Sequence, residues 1–394
     1  MGCTLIQDAT TYTLTFHHYP IASPSSCSCS SPPPSSLPRT YKPLSLLSPT
    51  PPPPSLLLTL NALTQPHPNR RLLIIVNPFS GTKKARPIYD TILKPMLDQS
   101  GLTYTLLLTT HGGHAREHIE ALDFATVDGI ITVSGDGLLF EVKQAFLSRQ
   151  EDLKRYPDLS FGIVAAGSGN GLASSLNYSA GRPLASPIDN AFAICKGRST
   201  PMDLSTYETS LGNKYCSFLS LSWGIVADVD LESDKFRALG PLRFDVYAVW
   251  RMLALRKYTA RFSYTNEVGA ALPPLQQDVP ATWTSTEDTF ACFWAVQTTH
   301  ASDSIFTSPE ATLADGKFRV LLVRASAGRA KLVQSFLAFE NGTHLDQSWV
   351  EVVECTAFRL EPRCDNTHMD LDGEEIEYGP IQAKVEPSFT NIYA

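Results

Sequence analysis

Three short turns hold most of the residues that could do chemistry. They read Asn77-Pro-Phe-Ser-Gly81, Ser134-Gly-Asp-Gly137 and Gly167-Ser-Gly-Asn-Gly171. Glycine at such points lets backbone N–H groups approach an anion with no Cβ in the way. A helix opening behind the turn adds a partial positive charge, worth about 0.3–1 kcal/mol toward a phosphate. Three such turns at one end of a sheet could hold a nucleotide polyphosphate. The second turn also sets Asp136 between Gly135 and Gly137. Phosphoryl transfer needs aligned reactants, neutralised phosphate charge and a base for the attacking hydroxyl. A carboxylate between two glycines is open to both phosphate and hydroxyl. The same residue suits equally well a cap for the helix that begins at Leu138, and the turn alone does not decide. Two nucleotide signatures are absent. Leu172 stands where a dinucleotide-binding G-x-G-x-x-G would have its third glycine, and Ser80-Gly81-Thr82-Lys83 lacks the upstream glycine of a P-loop.

Short apolar runs precede these turns: Leu72–Val76, Thr103–Leu108, Gly129–Val133 and Phe161–Ala165. Each reads as a buried strand, followed by a turn and a stretch of helical character. Strand, turn and helix in alternation predict a parallel sheet with helices on its faces, its ligands bound at the carboxyl ends of the strands. After about Thr200 the texture changes. Lys214–Trp223, Ala260–Tyr264, Thr289–Thr298, Phe318–Val323 and Val350–Leu360 read as strands, Asn266–Glu287 as a long surface loop, and Leu242–Arg256 as a helix. The expected fold is therefore α/β. Residues 69–200 form an α/β nucleotide-binding domain with a parallel sheet, residues 201–394 a β-rich, sandwich-like domain, and the cleft between them is the expected active site.

The first 68 residues have a different composition. Tyr19–Pro54 is dense in Pro and Ser, which predicts a disordered tail with polyproline character. The chain of 394 residues carries a net charge of −7, so a global basic field for nucleic acid is missing. No apolar run approaches the roughly 18 residues of a membrane span. The start MGCTLIQDATT lacks the features of a signal peptide. The eight cysteines are scattered without metal-ligand spacing, as in a reduced cytosolic protein. Cys3, Cys27 and Cys29 are candidate acylation points, although Ile6 stands where a myristoylation signal has Ser or Thr.

Taken together, the residues resemble the sphingosine and long-chain-base kinases, within the diacylglycerol-kinase catalytic superfamily. The likeness runs from about Arg70 to Pro387. Besides the three turns it includes SLSWGIVADVDLESDKFRALGPLRF (220–244), ADGKFRVLLVR (314–324) and MDLDGEEIEYGPIQAKVEP (369–387). SGDG and GSGN recur among lipid kinases of the superfamily, whereas the SWG-x-x-ADVD-x-ES block looks particular to sphingoid-base kinases.

The resemblance implies ATP-dependent phosphorylation of the primary hydroxyl of sphingosine, dihydrosphingosine or phytosphingosine, with Mg2+. Asp136 would be the general base, within a substrate-contacting turn of Ser134, Gly135 and Gly137. Asn77, Pro78 and Phe79 would line the nucleotide site, beside Thr109, Thr110, His111, Gly112, Gly113 and Glu141. Gly167, Ser168 and Gly169 would wrap the phosphates. Asp230 would bind the amino-alcohol head group, Arg237 and Arg243 would neutralise phosphate charge, and Asp372, Gly373 and Glu374 would close the nucleotide site. A cationic amine is a logical partner for a carboxylate such as Asp230, which facing a neutral diacylglycerol would stay unpaired.

The chain departs from relatives at Phe140, where His is common, and at Phe79 and Ser80, where many carry a basic residue and a glycine. The alternatives are a diacylglycerol or ceramide kinase, or a catalytically silent lipid-binding scaffold. Nicotinamide-dinucleotide kinases share a glycine-flanked Asp, but the GSGN and SWGIVADVD segments argue against them. The helix at Leu242–Arg256 either packs its many apolar residues into the core or, with Lys235, Arg251, Arg256, Lys257 and Arg261 near it, gates an acyl pocket and touches anionic lipid. The expected location is cytoplasmic, peripherally attached to intracellular or plasma membranes.

Overall fold

The computed structural model describes residues 69–79, 83–233, 235–236, 247–248, 250–251, 256–365 and 367–394, residue 53, and the strand backbones 2–7, 12–18 and 42–48. Contacts divide the chain into two units, residues 1–138 with 151–200 and 391–394, and residues 139–150 with 201–390.

The first unit is built on parallel strands. β4 (Arg71–Val76), β5 (Thr103–Leu108), β6 (Gly129–Ser134) and β7 (Ser160–Ala165) lie in the order β5-β4-β6-β7. β6 and β7 are buried along their whole length and β4 along all but its first residue, as expected of strands covered on both faces. One face packs Ile74, Val76, Ile131 and Val164 against Tyr89 and Leu93 of the helical run Ala85–Gln99 and against Ile194. That run contains a π-helical turn, Tyr89–Leu93. The other helices of this unit include α1 (His114–Ala121), α3 (Gly171–Ser179) and α4 (Pro187–Lys196), while α2 (Asp136–Gln144) opens behind β6 and its residues from Leu139 on belong to the second unit. The chain's last residues also belong here, since Asn391 and Ile392 run parallel to Ser160 and Phe161. Within the stretch read as a tail, β1 (Gly2–Gln7), β2 (Tyr12–His18) and β3 (Lys42–Ser48) form an antiparallel sheet in which Leu5 faces Leu14. The Pro/Ser-rich residues between β2 and β3 lie outside the described residues.

The second unit is antiparallel. Its strands are β8 (Ser199–Thr209), β9 (Lys214–Ser217), β10 (Ser220–Gly224), β11 (Tyr258–Thr265), β12 (Thr284–Val296), β13 (His300–Ser302), β14 (Ile305–Phe306), β15 (Phe318–Arg324), β16 (Val350–Cys355), β17 (Ala357–Pro362), β18 (Met369–Leu371), β19 (Glu374–Ile376) and β20 (Ile381–Tyr393). They pair in the order β19-β18-β10-β12-β11-β17-β20, with β15 and β16 branching from β12 and β8 and β9 from β20, while β13 and β14 form a separate pair. Phe262, Phe293, Phe318 and Phe358 meet edge-on or tilted to form an aromatic core. The helices α5 (Ile225–Glu232) and α6 (Arg329–Ala338) contribute Ile225, Val229 and Leu332 to a second core with Trp294 and Phe339. The expected α/β architecture with a β-rich second part is thus found.

Three details differ from the sequence reading, each for a visible reason. The run Lys214–Trp223 is two strands, because the amides of Phe218, Leu219 and Ser220 turn to the Asp372 carboxylate instead of a neighbouring strand. Val350–Leu360 breaks at Thr356, whose N–H and hydroxyl both donate to the Thr265 carbonyl. The expected loop 266–287 is a loop until Trp283, held by buried Arg359, which donates to the carbonyls of Pro273, Pro274 and Gln277. Only four residues of the expected helix Leu242–Arg256, Tyr247, Ala248, Trp250 and Arg251, are described as helical; Arg256 is described outside it, and the others lie outside the described residues. No helix among the described residues is long and apolar enough to cross a membrane.

One buried cation is expensive. Lys143 on α2 is fully buried, its Nζ 3.4 Å from Thr390 Oγ1 and 5.0 Å from the Phe146 ring centre. Burial pushes it down to about 7 from an ordinary 10.5. The unfolded chain takes this proton below pH 10.5 and the folded chain only below about 7, so the cost grows as pH falls between those values and is constant below. Lys143→Met is expected to raise the melting temperature most at and below pH 7, with the gain shrinking toward pH 10.5. Thermal melts across that range check it, and a gain independent of pH would refute the assignment.

Candidate active site

In the first unit the parallel order places the turns after β4, β5, β6 and β7 along one edge of the sheet. Backbone bonds tie neighbouring turns: Thr109 N–H donates to the Val76 carbonyl and Ala166 N–H to the Ser134 carbonyl, both at 3.0 Å. The second and third turns meet backbone to backbone. A Cβ added to Gly167 would sit 2.3 Å from the Gly135 Cα, and one added to Gly135 would sit 3.1 Å from the Gly167 Cα. Both positions therefore require glycine for close approach.

That approach delivers Asp136 to the third turn. Its Oδ2 accepts from the amides of Asn170 at 2.9 Å and Gly171 at 2.7 Å, and its Oδ1 from Leu172 at 3.2 Å. Asp136 thus caps a helix, but not the one it opens. It caps α3, which begins 35 residues later. The positive end of α3 is accordingly taken up by this carboxylate. Burial pushes the Asp136 carboxyl up, while the amides of Gly171, Leu172 and Asn170 pull it back.

The residue that shapes this turn is Asn170, which the sequence reading left without a role. Its φ of 93° lies in the left-handed region, which Asn tolerates better than other non-glycine residues. Its side chain accepts from Gly167 N–H at 2.9 Å and donates to the Gly167 carbonyl at 3.1 Å. An Asn-Gly pair opening a helix was the signal available in sequence.

The other expected residues of this unit vary in exposure. Ser134 and Gly135 are buried, Gly137 and Gly167 half-buried, and Ser168 exposed. Asn77 accepts from the Phe79 amide at 2.9 Å in an Asx turn, and Phe79 is 70% exposed. Thr109 is buried, whereas Thr110, His111 and Gly112 are exposed. Gly113 starts α1 at φ 88°, and Thr110 bonds His114 Nδ1 through both its amide and its hydroxyl.

In the second unit Glu141 is half-buried on α2, and Phe140 is almost fully buried, packed inward. Helix α5 carries Asp230, which is half-buried, and the fully buried Asp228. Asp228 pairs with Arg251 and accepts from Tyr258 at 2.6 Å. Asp370 on β18 accepts from Ser222 Oγ at 3.1 Å and Gly373 N–H at 2.8 Å. Burial pushes its carboxyl up, and the negative charge of Asp230 pushes it further. Asp372 turns inward, accepting from Ser217 Oγ and from the amides of Phe218, Leu219 and Ser220. Burial pushes it up to about 7 against these four donors. Its carboxylate therefore holds the β9–β10 corner, and Gly373 and Glu374 beside it are exposed. Arg237 and Arg243 lie outside the described residues.

Residues 71–207 match the family described as diacylglycerol kinase catalytic domain, and residues 220–394 the C-terminal NAD kinase beta sandwich-like domain of YegS. The chain is 34% identical to sphingosine kinase 1 of Mus musculus over 81% of its own length and 90% of the relative's. It is 32% identical to sphingosine kinase 1 of Arabidopsis thaliana, over 81% of this chain and 70% of that one. Among solved structures, a diacylglycerol kinase from Bacillus anthracis superposes with a TM-score of 0.59 at 18% identity, covering 82% of this chain and 96% of that chain.

The Gly135–Gly167 approach generates a stability prediction. Gly167→Ala is expected to cost about 1–3 kcal/mol through overpacking, and Gly135→Ala less, since its new methyl has more room. Urea denaturation midpoints measure both. Equal, negligible losses would mean that the two turns are not in backbone contact.

Proposed function

The chain belongs to the sphingosine kinase family, and on that premise we propose that it transfers the terminal phosphate of ATP to the primary hydroxyl of a sphingoid long-chain base. It is a lipid kinase. The observation that carries the finer reading is the Asp136 carboxylate, held by three amides against the glycine turn that follows β7.

The glycine turns suit a polyphosphate where they open to solvent, at the exposed Ser168 and Gly112, while Gly135 and Gly167 serve the close approach of the two turns. Magnesium bound with ATP would neutralise polyphosphate charge; the chain's own part is to align and to move a proton. Of the two Asp136 oxygens, Oδ2 takes two short amide bonds and Oδ1 a single longer one. Oδ1 thus keeps a lone pair for the hydroxyl proton. Burial favours the protonated product of that transfer, and the amides keep the carboxylate aimed. Gly167, Ser168 and Gly169 would wrap the phosphates, with Asn77–Phe79 and Thr109–Gly113 at the nucleotide and Arg237 and Arg243 at its phosphates.

Asp230 is proposed to pair with the substrate's protonated amine. Asp370 beside it supports this, since two neighbouring carboxylates favour a cation. Sphingosine, dihydrosphingosine and phytosphingosine all carry such an amine, and diacylglycerol and ceramide do not. Peripheral membrane contact from the cytoplasmic side is part of the same proposal. The exposed Phe236 and Trp250, with Lys235, supply an apolar and basic surface for it.

The deciding experiment is labelled phosphate transfer from ATP to sphingosine, phytosphingosine, diacylglycerol and ceramide, at a fixed detergent-to-lipid ratio. The free bases should be phosphorylated and the two neutral lipids not; equal transfer to diacylglycerol would overturn the substrate assignment. Asp136→Asn is expected to lower kcat by about 10²–10⁴-fold with ATP binding retained. Turnover within a few-fold of the parent would remove Asp136 from the base role. Asp230→Asn is expected to raise KM for sphingosine about tenfold or more while leaving KM for ATP unchanged. If KM for ATP rises equally, Asp230 supports the fold and does not pair with the amine.

A further inference from the structure

The turn after β7 carries Gly167–Gly169 and leads into α3, and a side chain on another helix fixes it from outside. Asn190 lies on α4 and is almost fully buried. Its Oδ1 accepts from the Ala165 amide at 3.2 Å, and its Nδ2 donates to Asn177 Oδ1 at 3.1 Å. Ala165 ends β7, and Asn177 sits on α3. One side chain therefore bonds both stems of the turn.

The bond to Ala165 fills a gap in the sheet. The next amide, that of Ala166, donates to the Ser134 carbonyl of β6, so the Ala165 N–H points to the other side of the strand. On that side β20 accompanies β7 only at Ser160 and Phe161. Ala165 lies beyond this pairing, and a buried N–H needs a partner. Asn190 supplies it. The orientation of both asparagine amides is also fixed. An N–H, that of Ala165, stands at one end of the series, and at the other Asn177 Nδ2 lies 3.5 Å from the Ser186 carbonyl oxygen. Flipping either amide would set donor against donor or acceptor against acceptor.

The turn itself has little freedom to shift. A Cβ at Gly167 would sit 2.3 Å from the Gly135 Cα, and one at Gly169 would sit 3.2 Å from Asp136 Oδ2. The three amides that hold Asp136 come from Asn170, Gly171 and Leu172, where the turn passes into α3. Asn170 sets the internal shape of the turn through its own bonds to Gly167. Asn190 sets where that shape sits between β7 and α3.

We propose that Asn190 is a positioning residue for phosphoryl transfer, clamping β7 to α3 so that the amides of Asn170, Gly171 and Leu172 aim the Asp136 carboxylate. It acts through the turn and not on the reactants. The role rests on the reading of Asp136 as the base. Its size follows from geometry, because misplacing a catalytic group by about 1 Å costs on the order of 10²-fold in rate.

The test compares the full chain with Asn190→Leu, Asp136→Asn and the double variant, by labelled phosphate transfer to sphingosine well below each melting temperature. Rates are expressed per chain that binds ATP, titrated in the same samples. Asn190→Leu removes both bonds at similar volume. It is expected to lower kcat about 10–100-fold, with KM for ATP and for sphingosine within about threefold of the parent. In the Asp136→Asn background the same change should lower kcat by less than about twofold, since residues that act as a unit are not additive. A merely structural Asn190 would cost the same factor in both backgrounds. Equal factors, or an unchanged kcat in Asn190→Leu, would overturn the role given to Asn190. If Asp136→Asn itself keeps the parent's turnover, Asp136 is not the base and the role of Asn190 falls with it. If Asp136→Asn loses turnover and Asn190→Leu does not, Asn190 alone is misassigned. Should Asn190→Leu fail to fold, Asn177→Ala decides by the same comparison, because it keeps the bond to Ala165 and breaks the clamp to α3. Its kcat should fall about threefold to tenfold in the parent and not in Asp136→Asn, and equal falls in both overturn the role.

Discussion

The first unit depends on one interaction, the Asp136 carboxylate set on the amino end of α3. Two constraints meet there. Asp136 can reach the amides of Asn170, Gly171 and Leu172 only if the turns after β6 and β7 touch. They touch only because neither Gly135 nor Gly167 has a side chain. The left-handed Asn170 then swings the chain so that three successive amides converge on one carboxylate. Remove any of these and the others lose their purpose. The parallel pairing of β6 with β7 supplies the frame, because it aligns Ser134 with Ala165 and so starts both turns at one level.

Much of this frame was legible in sequence, and what was not has a common cause. Strands such as Arg71–Val76 and Ser160–Ala165 are covered on both faces, so they appear as unbroken apolar runs. Glycine spacing marked the turns for a similar reason, since the need is local. Partner choice was not local. Nothing near Asp136 reveals that it caps α3 instead of its own helix, because the partner amides lie 34 to 36 residues away. Asp372 is a parallel case. In sequence it belongs to an Asp-Gly-Glu turn, yet its carboxylate is spent on Ser217–Ser220, about 150 residues earlier. That same contact splits a run that reads as one strand into β9 and β10. The strand Ile381–Tyr393 passed unnoticed because Pro387 and Ser388 interrupt its alternation.

The second unit solves a different problem, which is how to bury charge. Arg359, Asp228, Arg251 and Asp372 are all nearly inaccessible, and the charge of each is met by a partner. Arg359 meets loop carbonyls, Asp372 meets amides, and Asp228 and Arg251 meet each other. Buried ion pairs of this kind add little net stability, but removing one partner leaves the other charge uncompensated. Their value is positional. Asp228 fixes α5 by its buried side, which leaves Asp230, two residues on, half-buried and turned differently.

Asp136 and Asp230 illustrate the two ways this chain controls a carboxylate. Asp136 is held by neutral donors, the amides of Asn170, Gly171 and Leu172. Burial works in the opposite sense and raises its proton affinity. The outcome is a carboxylate that is fixed in direction yet not committed to staying charged, as the proposed role of base would require. Asp230 is governed by charge instead. Its neighbour Asp370 is another acid, and burial drives Asp370 toward its protonated form. Such a pair is most stable when a cation arrives to share it. On the reading proposed above, an amine-bearing lipid would be that cation, and its positive charge would offset the repulsion that Asp230 adds at Asp370.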